Sequence, residues 1–252
     1  VLTPKEGGSY FPLYILLVAF MLVTTGILYK TVNEPKLYAE TEALNEELYK
    51  SGAYVEEVAE VEGKMTKEAK RSFFFMLASI FFWFMGYNAV TSKYSVYAGN
   101  VLQLDYNMTL IVAQAAAILS YIPVGLIASR IGRKKTILAG IVMLGVAFLV
   151  ASFLRAGSNV WVMNGIFALA GIGWATINVN SYPMVVELAK SGDVGKYTGF
   201  YYAASMAAQI VTPILSGVFL TYVGMTTLFP YATVFVLGAF ITMLFVRHGD
   251  AK

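Results

Sequence analysis

Gly125-Leu126-Ile127-Ala128-Ser129-Arg130-Ile131-Gly132-Arg133-Lys134-Lys135 crowds four cations into the last six of its residues. Apolar runs flank it on both sides, 108–128 before and 136–154 after. Each is close to the roughly 20 residues a helix needs to cross a bilayer. A short cationic stretch between two such runs is a tight loop at a membrane surface. Gly132 permits a backbone turn that a larger residue would resist. The cations would sit near the C-terminal end of the preceding helix and beside anionic head groups, favourable on both counts.

Working outward, the chain offers seven runs of this kind: 10–29, 73–90, 108–128, 136–154, 160–186, 198–222 and 226–246. None contains Lys or Arg. Spanning strands of a barrel would be about ten residues long and polar at every second position. These runs are longer and apolar all round, so they are helices. The composition agrees, with 58% of the 252 residues hydrophobic and 13% charged, against roughly a quarter charged in a soluble domain. There is no Cys, and the single His, His248, lies close to the end. Thiolate sites, disulfides and multi-histidine metal centres are excluded, and a Ser-His-Asp triad is implausible. No nucleophile-base pair or phosphate loop is evident, so an enzyme is not expected. A net charge of +3 is too small to indicate nucleic acid.

The segment 31–71 differs, with ten acidic and six basic residues. Leu37, Leu44, Leu48, Val55, Val58 and Met65 recur at helical spacings. Two readings fit: one or two amphipathic helices on the membrane surface, or a partly disordered linker. With this segment on the cytoplasmic side, 15 of the 18 Lys and Arg residues fall inside, and only Lys5, Lys93 and Arg155 fall outside. The positive-inside rule therefore predicts a multi-pass cell-membrane protein with its N-terminus outside and its C-terminus cytoplasmic. The first residue is Val1, and upstream sequence is expected.

The Gly125–Lys135 stretch resembles the loop signature of the major facilitator superfamily, Gly-x-x-x-Asp-Arg-x-Gly-Arg-Arg/Lys. Gly125, Arg130, Gly132, Arg133 and Lys134 match it, whereas Ser129 stands where the strongest version has an acid. The usual salt bridge of that acid is then absent or supplied by the other half of the molecule. In that family the signature follows the second helix of each six-helix half, and here it follows the second span after the charged segment. The resemblance implies an all-α membrane protein, its seven transmembrane helices forming the C-terminal half, plus one helix, of a twelve-helix transporter. Residues 1–30 would be the sixth helix, 31–71 the cytoplasmic central loop and 72–252 the C-terminal six-helix bundle. The N-terminal half of the same transporter and the lipid bilayer are the partners this implies.

A finer resemblance lies in Asn178-Val179-Asn180-Ser181-Tyr182-Pro183 through Glu187 and Lys190, then Gly195-Lys196-Tyr197-Thr198-Gly199. With Gln209, Thr212, Pro213 and Gly217, it is similar to the tenth-to-eleventh helix connection of glycoside and sucrose cation symporters. It implies a sugar or glycoside substrate with a proton or sodium ion as coupling ion and no other cofactor. Transport of another small solute such as a drug or amino acid, or a receptor or structural subunit that does not transport, remains open.

Polar side chains at membrane depth are costly unless they face the bundle or a water-filled cavity. Trp83, Tyr87 and Thr91 share a face, with Asn88 beside them. Gln114 and Tyr121 share another, as do Trp174, Asn178 and Ser181, and Gln209 lies one turn before Pro213. Aromatic faces beside amides suit a sugar, which stacks its C–H face and hydrogen-bonds its hydroxyls. Trp83, Tyr87, Asn88, Gln114, Trp174, Asn178 and Gln209 are thus candidates to bind substrate; the alternative is that each bonds a neighbouring helix. Glu187, at the cytoplasmic end, suits a gate or a charge pair. Gly199, Ala203 and Ala207, spaced by four, are expected to let helices pack closely. Asp105 could cap a helix.

Overall fold

The computed structural model describes residues 11–33, 36, 39–40, 43–44, 66–188 and 194–249. It divides into two units, Val1–Glu60 and Val61–Lys252. Seven helices among the described residues are long and apolar enough to cross a membrane.

The first unit contains α1 (Phe11–Thr31). Two of its threonines bond back to the helix's own carbonyls, as suits an apolar surrounding. The Thr24 hydroxyl donates to the Phe20 carbonyl at 3.0 Å and the Thr31 hydroxyl to the Ile27 carbonyl at 2.7 Å. Most of the segment expected to be amphipathic, 31–71, lies outside the described residues. Lys36 and Glu40 in it form an exposed ion pair one helical turn apart, at 3.7 Å.

The second unit is built from α2 (Lys67–Tyr97), α3 (Tyr106–Ile131), α4 (Arg133–Ala151), α5 (Val160–Val186), α6 (Val194–Tyr222) and α7 (Leu228–Leu244). A π-helical turn, Ala98–Leu102, prolongs α2, and a 3-10 turn, Met225–Thr227, precedes α7. The largest departure from the sequence expectation is α2, which was bounded at 73–90 by hydropathy. Its first turns carry Lys67, Lys70 and Arg71, so the end of the charged segment belongs to this helix. The start is fixed by local chemistry: the Thr66 side chain accepts from the Ala69 N–H at 3.2 Å. Asp105 and Asn159 cap α3 and α5 alike, accepting from Asn107 and Trp161 N–H groups at 2.9 Å each. Each cap satisfies a donor that the first helical turn leaves unpaired.

Helix α2 packs against α6 and α7, α4 against α5 and α7, and α3 against α5. Trp83, Tyr94, Tyr97, Leu144, Met163 and Phe229 are fully buried between them. Small hydroxyls tie the layers. Ser79 donates to the Ala239 carbonyl at 2.8 Å and lies 2.7 Å from the Thr242 hydroxyl, joining α2 to α7. Ser181 and the Tyr201 hydroxyl, 3.2 Å apart, join α5 to α6.

Glycines set the closest crossings. A Cβ at Gly171 would lie 2.1 Å from the Ala113 carbonyl oxygen, so α5 meets α3 backbone to backbone. Gly140 and Gly173 face each other across α4 and α5; a Cβ on either would meet the other's carbonyl oxygen, at 2.8 and 2.9 Å. Gly86 lies equally close to the Ala232 carbonyl oxygen of α7, at 2.8 Å. The stripe expected to do this, Gly199, Ala203 and Ala207, does not. All three are exposed, and a Cβ on Gly199 would meet nothing within 4 Å. The rotation of about 100° per residue puts the stripe on the outer face of α6, while Tyr201, Ser205, Ala208 and Thr212 turn inward.

Candidate functional site

Gly132 separates α3 from α4 with φ 93° and ψ 150°, a backbone state in which a side chain would be strained. The cations divide around it, which corrects the dipole argument made from sequence. Only Arg130 occupies the last turn of α3; Arg133, Lys134 and Lys135 open α4. Positive charge is disfavoured at a helix N-terminus, and acceptors from other helices offset this. Arg133 pairs with Glu187 at the end of α5. Lys134 donates its ammonium to the carbonyl of Val246 and, at 3.1 Å, to that of Leu244, at the end of α7. Carbonyls left free at a helix end are natural partners for a cation. Ser129 turns back on its own helix, donating to the Leu126 carbonyl at 2.8 Å. The acid that meets the loop therefore comes from the end of α5 in this same bundle, which corrects the expectation that the pair is absent or supplied by the other half. Gly125 is uncrowded, its nearest neighbour for a Cβ being a Val179 methyl at 3.9 Å.

In the half of the helices away from the Gly132 loop, a cavity of about 370 Å³ opens between α2, α3, α4 and α5. Its polar lining is Tyr87, Thr91 and Gln114; Leu110, Phe148 and Phe167 are among its apolar walls. No Lys, Arg, Asp or Glu lines it. Tyr87 is stacked on Trp174 with ring centroids 3.6 Å apart and planes within 2° of parallel. Phe84 meets the Trp174 ring edge-on at 5.2 Å. The stack fixes the Tyr87 side chain at the cavity wall.

The remaining candidates from sequence separate in space. Trp83 shares the Tyr87 and Thr91 side of α2 but is fully buried. Residues four apart differ by about 40° around a helix, so over two such steps the row turns from the core to the cavity. The Asn178 amide donates to the Trp174 carbonyl at 3.0 Å, one turn back on its own helix. Asn88 is half-buried with its amide nitrogen unpartnered among the described residues. Gln209 is exposed on α6, 3.4 Å from the Ser205 carbonyl. The apolar cavity walls had no signal in the sequence. In a run that is hydrophobic on every side, periodicity does not say which face looks inward.

Among solved structures, the chain is similar to a POT family transporter in complex with 5-aminolevulinic acid, at 17% identity and a TM-score of 0.58. It is also similar to a mutant of the peptide transporter POT, at 19% and 0.55. A third likeness, at 18% and 0.52, is to a POT family transporter in complex with a thioalcohol-conjugated peptide. In each case 69% of this chain is matched, against 37%, 36% and 36% of the respective transporter, so the match spans little more than a third of their length. At these identities the likeness is one of fold. No curated protein matches the sequence. The sequence profile described as Major Facilitator Superfamily matches residues 105–252, more than half of the chain and five of its six bundle helices. Because that match covers more than half of the sequence and includes the Gly132 loop, the chain belongs to the Major Facilitator Superfamily of transporters.

Proposed function

We propose that this chain is the C-terminal part of a secondary active transporter that moves a sugar or glycoside together with a proton or sodium ion. On this reading α1 is the sixth helix, 31–71 the central loop, and α2 to α7 one six-helix half. The other half completes the site by rocking against this one around the substrate.

The observation that carries the substrate class is the cavity: phenol, hydroxyl and amide groups beside aromatic and aliphatic walls, with no charged side chain. Such groups can hydrogen-bond hydroxyls and stack on an apolar sugar face. A zwitterionic amino acid or peptide would leave its two charges without opposite partners on this wall, at a high desolvation cost. Tyr87 and Gln114 are the direct contacts; Trp174 supports Tyr87 from behind. Trp83 serves by packing in the core, and Asn88, Asn178 and Gln209 lie outside the lining of this cavity. The Arg133–Glu187 pair and Gly132 form the cytoplasmic gating element of this half, holding the start of α4 to the end of α5 while the two halves rock.

The test is uptake of labelled sugars into vesicles holding the full-length protein, under an imposed proton or sodium gradient. Gln114 is exposed at the cavity mouth in this half, and a hydrogen bond contributes about 0.5–1.5 kcal/mol net, so Gln114→Leu should weaken apparent sugar affinity about threefold to tenfold. Uptake of amino acids or drugs but no sugar would overturn the substrate assignment. The orientation in the cell membrane follows from the distribution of Lys and Arg, with the N-terminus outside. Cys introduced at Ser158 should be labelled from outside and Cys at Ser191 from inside; labelling of both from one side would remove that topology.

A further inference from the structure

The end of the bundle that carries the cationic loop holds a second cavity of about 250 Å³, between the start of α2 and the residues after α7. Glu68, Arg71, Ser72, Phe245, Arg247 and His248 line it. Its two walls are far apart in sequence and are tied together by specific bonds. The Arg247 backbone N–H donates to the buried Ser72 hydroxyl at 2.9 Å, and His248 Nδ1 lies 3.0 Å from the same oxygen. The Arg71 guanidinium lies 5.6 Å from the centre of the Phe75 ring. Phe75 in turn stacks on Phe245 at 5.1 Å and 28°. An aromatic column thus holds one guanidinium, and a hydroxyl fixes the backbone that carries the other. The following Gly249, at φ 88°, packs so closely on α5 that a Cβ would lie 2.8 Å from the Met184 carbonyl oxygen.

We infer that this cavity is a binding site for a phosphate group at the membrane surface, with Arg71 and Arg247 as its charged ligands and His248 and Ser72 at its base. Guanidinium groups match phosphate in geometry and charge, and the ring stack removes much of the side-chain freedom that binding would otherwise have to restrict. Lys67, Lys70, Arg130, Arg133, Lys134 and Lys135 lie at the same end of the bundle, against the acids Glu68 and Glu187. The field there favours an anion. Glu68 is the one like charge at the rim, so removing it should strengthen binding. The site is independent of the substrate cavity and of the sugar assignment.

The phosphate could belong to a lipid head group or be free in solution, and the experiment separates the two. The full-length protein is reconstituted in nanodiscs of phosphatidylcholine carrying a trace of fluorescent phosphatidic acid, and energy transfer from protein to lipid is titrated. The double variant Arg71→Gln/Arg247→Gln should bind about tenfold more weakly. Glu68→Gln should bind about twofold more tightly. Lys196→Gln, an exposed cation at the same end, should change binding less than twofold. Inorganic phosphate at millimolar concentration is then added. Displacement of the lipid identifies a free phosphate as a ligand of the site; no displacement assigns it to the lipid. Equal losses for the double variant and Lys196→Gln would mean a diffuse basic surface and overturn the site. So would unchanged binding in the double variant, or weaker binding in Glu68→Gln. Thermal midpoints within about 2 °C of wild type for all variants exclude misfolding as the cause.

Discussion

Helix α5 and helix α6 both carry small residues, spaced by four in α6 and unevenly in α5, and the two put them to opposite uses. In α5, Gly171 and Gly173 meet the backbones of α3 and α4 at distances no Cβ could tolerate. In α6, Gly199, Ala203 and Ala207 face away from the bundle, and Gly199 has open space beside it. Small residues therefore permit close approach without dictating it. What decides is which face of the helix the rest of the bundle covers. The α6 helix buries its own side of bulkier groups, with Tyr201 bonded to Ser181 and Thr212 donating to the Ala208 carbonyl at 2.6 Å.

One substitution made at three places probes this contrast. Gly171→Ala should have the largest effect. Each of the three nearest atoms to its new methyl group is Ala113 backbone, the closest at 2.1 Å, so nothing flexible can yield. We expect a loss of about 3 kcal/mol, the upper end for overpacking, seen as a collapse in the yield of monodisperse protein in detergent. A wild-type yield and thermal midpoint would show that α3 and α5 can separate without cost.

Gly140→Ala should be intermediate. Its methyl group meets the Gly173 carbonyl oxygen at 2.8 Å, but also the Ile177 side chain at 2.9 Å, which can rotate. A loss of about 1–2 kcal/mol should lower the thermal midpoint by several degrees while leaving a folded protein. A loss as large as that of Gly171→Ala would mean that the α4–α5 crossing is just as rigid.

Gly199→Ala should have the smallest effect on folding. An exposed helical Gly gains up to about 1 kcal/mol from replacement by Ala, so the thermal midpoint should hold or rise slightly. A marked loss of stability would reveal a partner for the outer face of α6. Measured beside Gly171→Ala in one assay, it tests whether burial of a glycine, rather than its spacing, sets the cost.

Fold class was legible in the residues because the bilayer imposes it. Seven apolar runs free of Lys and Arg can satisfy their backbones in lipid only as helices, and Val160–Val186 begins and ends where its hydropathy does. The charged start of α2 was hidden, since Lys67, Lys70 and Arg71 look like loop until the Thr66 cap is seen to begin the helix. The site was legible only in part. Tyr87 and Gln114 stood out as polar groups at membrane depth and meet at one cavity. Trp83 stood out equally and is buried, because adjacent turns of one helix face different neighbours.

By itself, the sequence determined that this protein is helical, where its chain crosses the bilayer, and where it turns at Gly132. These are consequences of local hydropathy and of the φ that one residue must adopt. Only the tertiary structure decided which glycines touch, which acid meets Arg133, and that Arg71 and Arg247 face one cavity. Those outcomes depend on helix rotation and crossing angle. A helix apolar on every side leaves both free until its neighbours pack against it.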